Sequence, residues 1–188
     1  MLPESYLDMF DSTGPGEYWS ARFPMRICKQ FRLGFDPVTK ASVYPVRDGV
    51  GNLIGVVTRG DKPKYKYPAG FTAMKNLFNI HEAPSSFVLV EGAPDVMSLA
   101  ASNIPAVGVY GSRLYSGQVD LIKALEPLTV LVAFDQDMAG QAGAKDAVAI
   151  LRHSGIFAKN VTWNPEYNDP DELPDSYRQE LFGSVLSA

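Results

Sequence analysis

Apolar positions in the second half of the chain follow two rhythms that alternate. Short continuous runs, SFVLV (86–90), PAVGVY (105–110), TVLVAF (129–134) and the stretch around KNVTW (159–163), read as strands. Between them apolar residues recur at helical spacing: Val96, Leu99 and Ala100 in 94–103, then Val119, Ile122 and Leu125 after a capping Ser116 and before Pro127. A third helix starts near Ala139, carries Ala144, Val148 and Leu151 on one face, and stops at Gly155. Strands that are apolar throughout and alternate with helices predict an α/β fold, a parallel sheet with helices on both faces. The first half differs. SVYPVRD and LIGVVTRG flank the glycine-rich GVGN, which predicts a hairpin, and KPKYKYP alternates Lys and Tyr. In an extended segment that alternation puts Lys64 and Lys66 on one face and Tyr65 and Tyr67 on the other. The expected layout is a small α+β subdomain over 1–82, the parallel-sheet domain over 83–175, and a C-terminal helix or tail over 176–188.

Charge sharpens this division. The net charge of −4 hides a basic segment, residues 22 to 75, with eleven Lys and Arg against three acids (Asp36, Asp48, Asp61). The remainder holds six bases and eighteen acids. A basic segment attracts phosphates, whereas an acidic one repels them unless metal ions intervene. With 46% hydrophobic residues over 188 positions the chain can bury a sizeable core. Its one cysteine, Cys28, excludes a disulfide framework and a cysteine-rich zinc site, and reads as a small buried hydrophobe. The N-terminus MLPESYLDMF lacks the basic and apolar regions of a signal peptide, and no apolar run approaches the ~20 residues of a membrane span. A soluble protein of a reducing, cytoplasmic compartment is expected.

Five acids then stand out by position. Glu91 follows the strand FVLV directly, Asp135 and Asp137 follow VLVAF, and Asp169 and Asp171 follow the strand near Trp163. In open parallel sheets ligands sit beyond the carboxyl ends of the strands, at a switch in strand order. Like charges gathered there raise one another's pKa unless a cation compensates. Oxygen donors without nearby His or Cys favour a hard ion, Mg²⁺ or Mn²⁺, while His81 and His153 read as ordinary polar residues. Singly, an Asp-x-Asp pair after a strand is more often a solvated loop or helix cap than a metal site, and DPDEL more often a turn into a helix. The ordered recurrence at three strand ends is what points to a metal site.

VLVEGAPDVMSL followed by VLVAFDQDMAGQAGA resembles the Toprim fold shared by bacterial DnaG-type primases, topoisomerases and some nucleases. KQFRLGFDP, VYPVRDGVGNLIGVVTRG and PKYKYP upstream, with NDPDEL downstream, are similar to the DnaG-type primase catalytic core, so that the resemblance covers residues 18 to 175. It implies a Toprim domain, Rossmann-like, behind the small basic subdomain, and a DNA-directed RNA polymerase that makes RNA primers on single-stranded DNA during replication. It further implies Glu91, Asp135 and Asp137 as catalytic, metal-binding acids, Asp169 and Asp171 as further metal-site acids, and Gly92, Asp95 and Gly140 as supports of the motifs. Arg47, Arg59, Lys64 and Lys66 would line the surface that meets template and ribonucleoside triphosphate. Two or more Mg²⁺ or Mn²⁺ ions are implied, and no zinc in this chain.

Two residues depart from the family pattern: Gln136 stands where Gly is usual, and Pro94 where a bulkier residue is usual. The zinc-binding template-recognition module and the helicase-binding helical part of such primases are not evident. A minimal core is therefore expected, as a phage or mobile element would encode, with a separate zinc-binding module and the replicative helicase as partners in a bacterial or phage-infected cytoplasm. Two other functions share these residues: a Toprim metal-dependent nuclease, and a non-catalytic nucleic-acid-binding replisome subunit. A topoisomerase fits poorly, because it needs a strand-passage domain with a nucleophilic tyrosine.

Overall fold

The computed structural model describes residues 1–11 and 14–183. It divides into two units, Met1–Phe71 and Thr72–Ala188.

The first unit is built on an antiparallel meander of β1 (Gly34–Asp36), β2 (Ala41–Arg47), β3 (Leu53–Arg59) and β4 (Tyr65–Lys66), in that order. The predicted hairpin is β2–β3. Asp48 closes it, its Oδ1 accepting from the amides of Val50 at 3.0 Å and Asn52 at 2.9 Å, while Gly51 takes a φ of +92°, which glycine alone adopts readily. Three short helices, α1 (Asp8–Asp11), α2 (Gly16–Arg22) and α3 (Met25–Gln30), accompany the sheet. Trp19 of α2 is fully buried; its Nε1 donates to the Val43 carbonyl at 3.1 Å, so the indole satisfies its one donor inside the core. Cys28 is buried as expected, and burial pushes its thiol pKa up.

The second unit holds a parallel sheet of β5 (Ser86–Val90), β6 (Ala106–Gly108), β7 (Thr129–Val132) and β8 (Ala158–Asn160), in the order β6-β5-β7-β8. Its helices are α4 (Ala93–Ala101), α5 (Ser116–Ala124), α6 (Met138–His153) and α7 (Asp175–Phe182). Phe87, Leu89, Val107, Val130 and Val132 pack in one core with Ile122, Ala144 and Leu151. The alternate strand residues Val88, Val90 and Leu131 are as deeply buried, so both faces of the sheet are covered. Strand β5 matches its apolar run, whereas β6, β7 and β8 are shorter than theirs. The amides of Val109, Ala133 and Val161 still bond to Val90, Leu89 and Val132, so the chain keeps its register for a residue or two beyond each strand. Helix α7 ends the described chain, and residues 184–188 of the expected tail lie outside it.

The boundary between the units falls earlier than residue 82. Phe78 pairs with Gly108 of β6 through two backbone hydrogen bonds, of 2.8 and 3.0 Å. Gln118 of α5, wholly buried, directs its Nε2 at the carbonyls of Ala73, Asn76 and Val109 at 2.8–2.9 Å, and its Oε1 accepts from the Tyr115 amide at 3.0 Å. One buried amide thus ties residues 73–76 into the second unit, which hydrophobic patterning does not reveal. Gln118→Leu keeps the volume but strands the Asn76 and Val109 carbonyls, since Ala73 still accepts from the Asn76 amide. It should cost about 2–4 kcal/mol in urea unfolding, the cost of orphaning several buried polar groups; a loss near zero would show that these bonds carry little.

Candidate active site

The order β6-β5-β7-β8 reverses direction after β5, so the crevice beyond the carboxyl ends of β5 and β7 is the switch point where ligands bind in such sheets. Glu91 leaves β5 directly into it, and Asp135 and Asp137 follow β7. The Asp135 amide donates to Glu91 Oε1 at 3.2 Å. Asp137 caps α6, its Oδ1 accepting from the Gly140 amide at 2.7 Å at the positive end of the helix. Gly140 owes its identity to this crowding. A methyl group there would run into the Asp135 carbonyl and come within 2.7 Å of Glu91 Oε1. Gly143, which spacing alone did not single out, is equally constrained, because a Cβ would strike the Ser112 carbonyl of the loop after β6.

Gly92 begins α4, and Asp95 reaches back to accept its amide at 2.9 Å, one arm of a capping box that fixes the turn just after Glu91. Pro94 occupies the second helical position, where an amide would lack a helical partner anyway. Gln136 keeps a negative φ, so replacing the usual glycine costs no backbone strain; its amide donates to the Asn168 carbonyl at 2.7 Å and joins the Asp-x-Asp turn to the loop carrying Asp169. In that loop Asp169 Oδ1 accepts from the Glu172 amide at 3.0 Å, and Arg178 of α7 holds the carbonyls of Pro170 and Asp171.

The charges of Asp135, Asp137 and Asp169 reach Glu91. Burial first, then Asp135, and further Asp137 and Asp169, push the Glu91 carboxyl up to about 7, against the Asp135 amide that favours its charge. Asp95, buried, lies well above the usual carboxylate range through burial and the nearby Asp169 and Asp135. Among the described residues no three His, Cys, Asp or Glu side chains stand close enough to hold one ion. Glu91 Oε1 and Asp137 Oδ1 each accept from a backbone amide instead. The site fits a hard divalent ion in donor chemistry and charge, with oxygen ligands only and an excess of anions that a cation would relieve.

The basic residues of the first unit are differently employed. Arg47 forms a two-pronged ion pair with Glu4 and donates to the Gly51 carbonyl at 3.0 Å. Arg59 stacks over Tyr18 at 4.1 Å and Tyr65 at 5.2 Å, a cation–aromatic cluster whose Tyr18 no motif announced. Lys64 and Lys66 are exposed while Tyr65 is half-buried, and Tyr67 stacks on Phe71 with ring centroids 4.9 Å apart.

With this geometry in place, comparison with known proteins gives a consistent result. Residues 88–174 match the family model described as Toprim-like. The DNA primase of Mycoplasma genitalium is 32% identical over 157 residues, 74% of this chain and 26% of that protein. Among solved structures, the zinc-binding and RNA polymerase domains of Aquifex aeolicus primase superpose with a TM-score of 0.81 at 23% identity, covering 95% of this chain and 58% of that one. A DnaG primase catalytic domain bound to single-stranded DNA gives 0.77 at 20% identity, covering 98% and 76%. The chain thus has the Toprim fold of the DnaG primase cores. It is a relative of the bacterial DNA primases, and spans about a quarter of the length of the curated relatives it matches.

The Glu91 environment sets a pH dependence. Folded Glu91 keeps its proton up to about 7, whereas the unfolded carboxyl loses it near the ordinary value of 4.5. The native state therefore binds more protons across that window, and stability falls as pH rises through it. In metal-free buffer the Tm should decline between pH 4.5 and 7, and Glu91→Gln should flatten that decline. An unchanged slope in Glu91→Gln would place the titration elsewhere.

Proposed function

We propose that this chain is the catalytic core of a DNA primase, joining ribonucleotides on a single-stranded DNA template. The observation that carries the reading is the meeting of Glu91 with Asp135 and Asp137 at the switch point of a Toprim sheet in a relative of the bacterial primases. Glu91, Asp135 and Asp137 would hold magnesium or manganese, with Asp169 and Asp171 as further ligands. Such ions, when bound, lower the pKa of an attacking 3′-hydroxyl and neutralise charge on the departing pyrophosphate. To serve as a ligand Glu91 would be ionised and turned from the Asp135 amide, while the Gly140 amide at the start of α6 would orient Asp137. Asp95 holds the Glu91–Gly92 turn in place throughout.

In the first unit the exposed Lys64 and Lys66 contact template phosphates, and the Arg59, Tyr18 and Tyr65 cluster offers faces on which bases stack, at ~1–3 kcal/mol each. Arg47 can contribute only by sharing its guanidinium with Glu4. Template choice and helicase coupling we assign to separate partners, a zinc-binding module and the replicative helicase. The Aquifex aeolicus primase structure includes a zinc-binding domain with its RNA polymerase domain. The setting we propose is the cytoplasm; among the described residues no helix is long and apolar enough to cross a membrane.

The decisive assay combines single-stranded template, four ribonucleotides and Mg²⁺ or Mn²⁺. Labelled primers should form, or a supplied primer should be extended, and Asp135→Asn should reduce both to background. Cleaved template instead would indicate a nuclease, and neither product a non-catalytic subunit. Magnesium should also raise the wild-type Tm, by the mass-action stabilisation of about 2.7 kcal/mol at a hundred times Kd.

Template binding has its own readout. Lys64→Ala combined with Lys66→Ala should weaken single-stranded DNA of unrelated sequences alike and reduce the salt slope by about one per lost phosphate contact. An unaltered slope would leave both lysines merely solvated.

A further inference from the structure

Helix α7 lies beyond the segment that the Toprim-like model matches, yet Arg178 on it reaches two acid-bearing segments at once. Its Nε donates to the Pro170 carbonyl at 3.1 Å and its Nη2 to the Asp171 carbonyl at 2.8 Å, both in the loop that carries Asp169. Its Nη1 donates to the Ser98 carbonyl at 3.1 Å and lies 3.4 Å from Ser102 Oγ, at the C-terminal end of α4. The neighbouring Gln179 donates its side-chain amide to the Ser102 carbonyl. The first turn of α4 carries Asp95 and directly follows Glu91. Helix α7 is itself anchored: Phe182 is fully buried with its ring edge against Trp163, and Tyr177 Oη accepts from the Asn164 amide at 3.3 Å. A guanidinium suits this position because its planar, forked donors serve acceptors on two segments together, which the single ammonium of lysine does not.

We propose that Arg178 is a positioning residue, locking the Asp169–Asp171 loop onto α4 and so fixing where those carboxylates stand relative to Glu91. The inference rests on the metal-dependent reading of the site. Without the fork, the loop shifts and the acids that share a cation no longer converge on it. A guanidinium acting only as a counter-charge would do the reverse, since its removal deepens the negative potential and tightens cation binding.

The experiment follows the Tm of the whole chain against magnesium concentration, without nucleotide or DNA, in wild type, Asp135→Asn, Arg178→Lys and Arg178→Gln. The half-maximal concentration should rise about tenfold or more in both Arg178 variants, as for other groups that orient metal ligands from behind. Wild-type behaviour of Arg178→Lys with tighter binding by Arg178→Gln would overturn positioning in favour of counter-charge. A lower metal-free Tm with unchanged magnesium response in both would reduce Arg178 to an ordinary structural contact. Should Arg178→Gln fail to fold, Arg178→Lys decides alone, because it keeps the charge and loses the fork. A wild type and Asp135→Asn that both ignore magnesium would sink the metal reading itself, and this inference with it, a result distinct from any confined to the Arg178 variants.

Discussion

Mutual repulsion among carboxylates at the carboxyl edge of the parallel sheet is the constraint around which the second unit is arranged. Burial first, then the charges of Asp135, Asp137 and Asp169, lift Glu91 to about 7, and burial with Asp169 and Asp135 raises Asp95 as well. In a partly buried setting such a gathering opposes folding, because each charge added raises the cost of the next. The local structure answers with donors. The Asp135 amide faces Glu91, the Gly140 amide faces Asp137, the Gly92 amide faces Asp95 and the Glu172 amide faces Asp169. These amides belong to turns and to helix beginnings, where they have no partner within a helix or strand. The same geometry that starts α4 and α6 therefore keeps the acid cluster tolerable.

Close approach is the second requirement, and it explains residues that chemistry alone does not. Helix α6 must begin almost on top of the Glu91 carboxylate, which only a residue without a Cβ allows at Gly140. It must also pass the loop after β6, which excludes a side chain at Gly143. Arg178 supplies the other half of the arrangement. Burial lowers the pKa of its guanidinium while Asp171, Asp175, Asp169 and Asp95 raise it, so a partly desolvated cation sits within reach of these acids.

Legibility in the sequence follows the range of each interaction. Strand and helix positions were readable because burial on both faces of a sheet writes continuous apolar runs, as in SFVLV and TVLVAF. The acids were readable because a strand end is a local event, and Glu91, Asp135 and Asp137 each abut one. Arg178 was not, since its partners Ser98 and Ser102 lie 80 and 76 residues away and nothing around it differs from an ordinary polar helix. Gln118 was missed for the same reason, as was the stacking of Arg59 on Tyr18. Nor could spacing foresee that Arg47 would be engaged by Glu4, because that pair joins positions 43 residues apart.

The amides that soften repulsion also decide what the metal-free site can do. Glu91 and Asp137 each face a backbone donor, and no three side chains among the described residues stand close enough to hold one ion. A cation held as proposed would replace those contacts, an exchange favourable only where the relief of several repulsions exceeds the hydrogen bonds given up. Glu91 is the member for which this balance is most one-sided, since its single amide contact at 3.2 Å is long and three other carboxylates oppose its charge. Asp137, at 2.7 Å from an amide at a helix start, has more to lose and less to gain. Glu91 is therefore the side chain expected to move first, with Asp137 remaining as the fixed wall of the site.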